Sequence, residues 1–177
     1  MIVMAEFAIS PMPDGTSDPG LDALIHAMFL DVRGRYPERV WDERQWRAEA
    51  GEQALYLGAR VDGRVVGCCA VQWNPASGRA GMELKRMYIA PGARGSGLAG
   101  ALLRSAEQTA SRLGAVELYL QTGSGQPEAR RVYERNGYTA IPAYGHYRAD
   151  AISCCYAKSL RDPAAAEKVP ATAEPAR

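Results

Sequence analysis

The chain has 177 residues, 47% hydrophobic and 23% charged, with 21 Lys and Arg against 20 Asp and Glu and a formal net charge of +1. That length fits one domain able to bury a sizeable core, and the charge balance leaves no footprint for nucleic acid or an anionic membrane. No apolar run approaches the ~20 residues of a membrane span, and MIVMAEFAIS lacks a basic stretch ahead of its apolar residues, so a cytoplasmic location is expected.

Val3 to Ile9 reads as a first strand, followed by a loop through Pro11, Pro13, Asp14 and Gly15. Asp18 is placed to cap a helix with Pro19 in its first turn, and Leu21, Leu24, Ile25, Met28 and Phe29 recur at helical spacing. Gly34 and Pro37 are its expected stop, and a charged second helix follows from about Trp41 to Ala50. Ala54 to Val61 and Arg64 to Trp73 alternate as strands around Asp62-Gly63, a strong two-residue hairpin signal. Cys68-Cys69 and Cys154-Cys155 are adjacent pairs that point to opposite sheet faces. With no C-x-x-C spacing they read as small buried hydrophobes in a reducing compartment, not as metal ligands.

The stretch Glu83 to Thr109, ELKRMYIAPGARGSGLAGALLRSAEQT, is strand, turn and helix in that order. Strict alternation puts Glu83, Lys85, Met87 and Ile89 on one face of the strand and Leu84, Arg86 and Tyr88 on the other. Pro91 ends the ladder, Gly92 and Gly95 supply turn conformations, and Gly97 lets the backbone approach a ligand closely. From Leu98 the spacing is helical, with Leu98, Ala101, Leu102, Ser105, Ala106 and Thr109 on one stripe. A helix that starts this way turns orphan N–H groups and the positive end of its dipole toward an anion. Arg94, at the lip, adds a guanidinium suited to phosphate oxygens. Gly95 to Gly100 also spells G-x-G-x-x-G, but mid-chain, with too little sequence after it for a doubly wound dinucleotide fold.

Beyond Gly114, Ala115 to Gln121 reads as a buried strand, parallel to the Glu83 strand by the right-handed crossover rule. Gln126-Pro127 opens a helix carrying Tyr133, and Tyr138 to Ile141 and Ile152 to Lys158 read as closing strands. From Asp162 the composition collapses to Ala, Pro, Glu and Lys, so a single domain over 1–162 with a disordered tail over 163–177 is expected.

Read as Arg94-Gly95-Ser96-Gly97-Leu98-Ala99, the turn is an R-x-x-G-x-A string that resembles the acetyl-coenzyme A motif of the GNAT N-acetyltransferases. Downstream, Ala129-Arg130-Arg131-Val132-Tyr133-Glu134-Arg135-Asn136-Gly137-Tyr138 resembles that family's second signature, A-x-x-x-Y-E-x-x-G-[FY], in the family's order and spacing. The likeness runs from about Gln53 to Leu160. It implies an α/β fold of the α+β type, a mixed sheet of about six or seven strands with about four helices, its central parallel pair splayed around the cofactor.

The resemblance also implies acetyl-coenzyme A as cofactor. Its pantetheine would lie along Met87, Tyr88 and Ile89, and its pyrophosphate on the amides of Gly95, Ser96, Gly97, Leu98 and Ala99 beside Arg94. Many members carry an Asn just before the Tyr helix, and Gln126 is its candidate replacement here. Tyr133 matches the family tyrosine that donates a proton to the departing thiolate. Glu83, on the face of Met87 by period two, is the expected base through water, with His146 as its rival. Trp41 and Trp46 lie in the variable region that shapes the acceptor pocket, where they either line it or pack the helices onto the sheet. Tyr144, Tyr147 and Arg148 are expected to read a small amine that carries a carboxylate, with Arg148 as the fork. The implied reaction is acetyl transfer to a primary amine of a small molecule by direct attack in a ternary complex. The implied enzyme is a monomer or homodimer without metal, nucleic acid or membrane. A coenzyme A-binding sensor without turnover and a protein N-terminal acetyltransferase are the alternatives.

Overall fold

A computed structural model describes residues 7–12, 18–51 and 53–161. Most of the strand expected from Val3 and the tail over 163–177 lie outside the described residues. The strands are β1 (Ala8–Pro11), β2 (Leu55–Val61), β3 (Arg64–Trp73), β4 (Met82–Ile89), β5 (Glu117–Gly123), β6 (Thr139–Ile141) and β7 (Ser153–Ser159). The helices are α1 (Pro19–Arg35), α2 (Glu43–Ala48), α3 (Leu98–Arg112) and α4 (Pro127–Arg135). One seven-stranded sheet runs β1-β2-β3-β4-β5-β7-β6. β1 to β4 are an antiparallel meander, β4 and β5 are parallel, and β7 lies antiparallel between β5 and β6. This is the mixed sheet with four helices that the resemblance implies.

Local chemistry accounts for the helices. The Asp18 carboxylate accepts the N–H groups of Gly20 at 2.9 Å and Leu21 at 3.0 Å, which caps α1. The helix continues through Gly34 and stops only at Tyr36, because an exposed glycine weakens a helix without ending it. Asp42 caps α2 in the same way, and that helix is shorter than its sequence pattern suggests. α1 buries Leu21, Leu24, Ile25 and Met28 on one sheet face, while α3 buries Leu98, Leu102, Leu103, Ala106 and Ala110 on the other. Cys68 belongs to the α1 side and Cys69 to the α3 side; both are free thiols, and burial pushes Cys68 up to about 12, far from a reactive thiolate.

One irregularity overturns the period-two reading of β4. Cys68 pairs with Tyr88 but Ala70 pairs with Lys85, so β4 carries an extra residue there, and Arg86 sits at φ +54°. Met82 and Leu84 before this bulge, and Met87 and Ile89 after it, all pack on the α3 side. Glu83, Lys85 and Tyr88 face the other way. Glu83 and Met87 therefore lie on opposite faces, not on one.

Tyr36, just past α1, crosses the end of β5, and its hydroxyl accepts the Gly125 N–H at 3.0 Å. A Cβ on Gly123 would stand 1.9 Å from that hydroxyl and 2.7 Å from Cζ. Gly123→Ala is expected to cost about 1–3 kcal/mol, read as a lower thermal midpoint. Adding Tyr36→Phe should not restore it, because the ring carbon itself is in the way. Recovery in that double variant would contradict the packing described.

Candidate active site

β4 and β5 are paired only from Met82↔Leu118 to Leu84↔Leu120, although β4 runs on to Ile89 and β5 to Gly123. Beyond Leu84 the strands part, and the bulge at Arg86 bends β4 away. The gap leaves backbone N–H and C=O groups that an extended ligand can pair with as an added strand. A cavity of roughly 320 Å³ fills it and has walls on both faces of the sheet. Leu84, Met87, Ala129 and Tyr133 bound it from the side of α3 and α4; Met28, Trp41, Trp46, Lys85, Arg86 and Tyr147 bound it from the side of α1 and α2.

At the C-terminal end of β4 the turn forms the expected cradle. Gly95 and Gly97 take φ of +79° and +85°, and Ser96 Oγ donates to Ala93 O at 2.8 Å to hold the loop. Among the described residues, the amides from Gly95 to Gly100 have no backbone acceptor; the first to find one is Ala101, bonded to Gly97 O at 3.3 Å. A Cβ on Gly95 or Gly97 would meet nothing within 4 Å, so the space before these amides is open. The cradle fits a pyrophosphate. Leu98 is buried beneath it.

Arg94 is held to α1: Nε donates to Ile89 O at 3.0 Å, and Nη2 pairs with Asp31 at 2.9 Å. Burial pushes the Asp31 carboxyl up, but the hydrogen bonds and charges of Arg35 and Arg94 outweigh it and keep it below its ordinary value. Tyr88 lies under this pair, its ring centre 5.4 Å from the Arg94 guanidinium, so its side chain faces α1 while Met87 and Ile89 face α3. Gln126 lines the cavity at the start of α4. Its Oε1 accepts Thr122 Oγ1 and Gly123 N–H at 3.2 Å each, which leaves its amide N–H groups without an acceptor among the described residues.

Tyr133 is buried at the cavity wall, edge-on to Tyr138 with ring centres 5.9 Å apart. Its hydroxyl has no hydrogen-bond partner among the described residues, and burial pushes the phenol above its ordinary value, so it keeps its proton. Glu83 is placed differently from its sequence expectation. It is 1% exposed and accepts hydrogen bonds from Tyr144 at 2.8 Å, Asn74 at 2.8 Å and Gln72 at 3.4 Å. It is absent from the cavity wall, and Lys85, 3.9 Å away, stands between the two and donates to the Tyr147 hydroxyl at 2.9 Å. Tyr144 is thus engaged with Glu83 and does not reach the cavity.

The remaining candidates divide. Tyr147 and His146 are on the wall, with ring centres 4.0 Å apart, whereas Arg148 is exposed and off it. Trp41 and Trp46 do both things weighed for them: they line the cavity and pack against Phe29. Sequence reading missed Lys85 and Arg86 as wall residues. The available signal was two successive cations in the middle of a central strand, where charge is rarely buried without a use. Among the described residues no helix is long and apolar enough to cross a membrane.

Glu83→Gln separates a supporting role from a chemical one. We expect a stability loss of about 1–3 kcal/mol, because buried donors lose a charged acceptor, with a smaller effect on kcat than Tyr133→Phe. An unchanged thermal midpoint with turnover abolished would put Glu83 in the chemistry instead.

A phosphate cradle at one end of a splayed strand pair and an un-ionised phenol at the other suit a transferase that draws on an acyl thioester. A family model described as the acetyltransferase (GNAT) family matches residues 21–138, and the chain belongs to that family. It is 34% identical over 105 residues to an IAA acetyltransferase of Azospirillum brasilense, covering 59% of this chain and 67% of the relative. It is 33% identical over 115 residues to an uncharacterized N-acetyltransferase of Mycobacterium tuberculosis, covering 63% and 66% of the two chains. A crystal structure assigned as an acyl-CoA N-acyltransferase from Klebsiella pneumoniae superposes with TM-score 0.70 at 28% identity, over 89% of this chain and 99% of that one. The PaiA N-acetyltransferase of Thermoplasma acidophilum, solved with coenzyme A, shares the fold at TM-score 0.64 and 18% identity, over 87% and 99%. Membership carries acetyl-coenzyme A as the cofactor and acetyl transfer as the reaction.

Proposed function

We propose that this chain acetylates a primary amine of a small, amino-acid-like molecule by direct attack, with both reactants in the β4–β5 gap at once. The observation that carries this reading is the cavity walled from both faces of the sheet, which allows the two reactants to approach from opposite sides. Acetyl-coenzyme A supplies an activated thioester. The amides of Gly95 to Ala99 and Arg94 hold its pyrophosphate, the open edge of β4 at Met87 to Ile89 pairs with its pantetheine, and Gln126 offers a side-chain amide donor.

Tyr133 keeps its proton and presents it to the departing sulfur. The acceptor enters between Trp41, Trp46 and Tyr147. Its ammonium, with a pKa of about 10, must lose a proton before attack. His146 and Glu49 are the exposed titratable groups of the wall that water can serve; Glu83 acts on the cavity only through Lys85. Four free cysteines are consistent with a cytoplasmic setting.

The test is free-thiol release from acetyl-coenzyme A across amino acids, polyamines and short peptides. Release that depends on one class of small amine is the expected result. Coenzyme binding with no acceptor turned over would replace this reading with that of a sensor.

A further inference from the structure

We infer that Arg86 and Lys85 form an anion subsite in the acceptor half of the gap, and that the acceptors are amino carboxylates. This deepens the amine-acetylation reading and rests on it. Consecutive residues of a regular strand point to opposite faces, yet Lys85, bonded to Tyr147, and Arg86, stacked on Trp46, both bound the cavity from the face opposite Leu84 and Met87. The bulge is what brings them together, at the cost of holding a long side chain at φ +54°, a conformation that non-glycine residues adopt rarely.

Arg86 has no ion pair with the described residues where it stands, and that of Lys85 is a long one. Among the described residues Arg86 has no carboxylate in ion-pair range, and its buried Nε has no hydrogen-bond partner. Its guanidinium lies 3.6 Å from the centre of the Trp46 ring and donates to the Trp46 carbonyl, which fixes its plane. The carboxylate nearest Lys85 is Glu83, at 3.9 Å and already accepting from three other side chains. Burial pushes both cations below their ordinary pKa values, opposed by Glu83 and Glu49 at Lys85 and by Tyr56 and Glu49 at Arg86. Two adjacent cations in a part-dry wall repel each other, and an arriving anion relieves both.

The rest of the wall selects the kind of anion. Asp150 is paired with Arg39, but Glu49 is exposed and unpaired among the described residues. One unpaired and one loosely paired cation beside one unpaired acid complement a zwitterion better than a phosphate dianion: the carboxylate goes to Arg86 and Lys85, the ammonium toward Glu49 and the thioester. A planar carboxylate also matches the guanidinium fork. The exposed Arg148 has no part in this subsite.

The test uses matched pairs that cannot react. N-acetyl-phenylalanine, N-acetyl-leucine and N-acetyl-glutamine, each as acid and as carboxamide, are titrated into the coenzyme A-saturated protein, following tryptophan fluorescence and thermal midpoint. The acid of the best-bound pair is expected to bind at least tenfold more tightly than its amide. Arg86→Gln should bring the two within threefold while leaving coenzyme affinity unchanged. If Arg86→Gln does not fold, as loss of coenzyme binding would reveal, Lys85→Met carries the comparison. Equal affinities in the wild type, a preference that survives the substitution, or no binding of any acid overturns the subsite. Turnover of small amines without a carboxylate preference would sink this inference alone; acid-selective binding with no turnover of any amine would sink acetyl transfer and leave the subsite standing.

Discussion

Replacing Tyr133 by Phe is expected to lower kcat by roughly 10²-fold while stability and coenzyme affinity stay nearly constant. The structure gives the reason for each part. The hydroxyl has no partner among the described residues, so its removal breaks no bond of the fold, and the ring keeps its contacts with Tyr138 and Tyr156. The residue lines the cavity, the open space beside it.

The magnitude sits at the low end of general-acid effects for a physical reason. Burial raises this phenol above its ordinary value, whereas a thiol titrates near about 8.5, so full proton transfer to the sulfur is uphill and a strong hydrogen bond does most of the stabilising. The sign for pH follows. The active form is the protonated one, present below the folded pKa and lost above it. A pKa raised by burial means no alkaline fall in kcat from this group before about pH 10. Steady-state kinetics on both proteins, with kcat and kcat/KM falling together, check the prediction. A loss under threefold would mean that water protonates the sulfur.

Gly97→Glu is expected to weaken coenzyme A binding at least 100-fold by calorimetry and to cost about 1–2 kcal/mol of stability. The stability cost comes from placing a side chain at φ +85°, a left-handed conformation that glycine adopts freely. The binding cost comes from charge. The new side chain projects into open space before the orphan amides, and two like charges about 4 Å apart repel by about 4 kcal/mol near a protein surface. Gly97→Asn divides the two, because Asn tolerates the conformation and brings no charge. It should bind coenzyme A within tenfold of wild type. Equal, small losses in both variants would move the pyrophosphate away from this turn.

Much of the fold and the glycine turn of the candidate site was legible in the chain because their causes are local. Asp18 caps α1 through a carboxylate three residues from its partner; Gly95 and Gly97 take backbone angles that only glycine takes freely; Leu98, Leu102 and Ala106 repeat at a helical period. Asp62-Gly63 marks the β2–β3 hairpin by its turn chemistry alone, and the crossover through α3 makes β4 and β5 parallel by handedness. Tyr133 follows from its place in a short helix whose register is set by Pro127.

The acceptor half depended on something no local pattern states. LKRMYI alternates perfectly well as a plain strand, and only the register against β3 shows that Arg86 is the extra residue. That one insertion reverses the faces beyond it. It parts Glu83 from Met87, puts Lys85 and Arg86 on one wall, and leaves Glu83 to be sealed by Tyr144 from a segment 61 residues away. Sequence by itself determined the elements, their order and the phosphate cradle, since dihedral preference and periodicity reside in neighbouring residues. The tertiary structure alone decided which charged groups meet the cavity, because strand register and burial are settled by packing between distant segments.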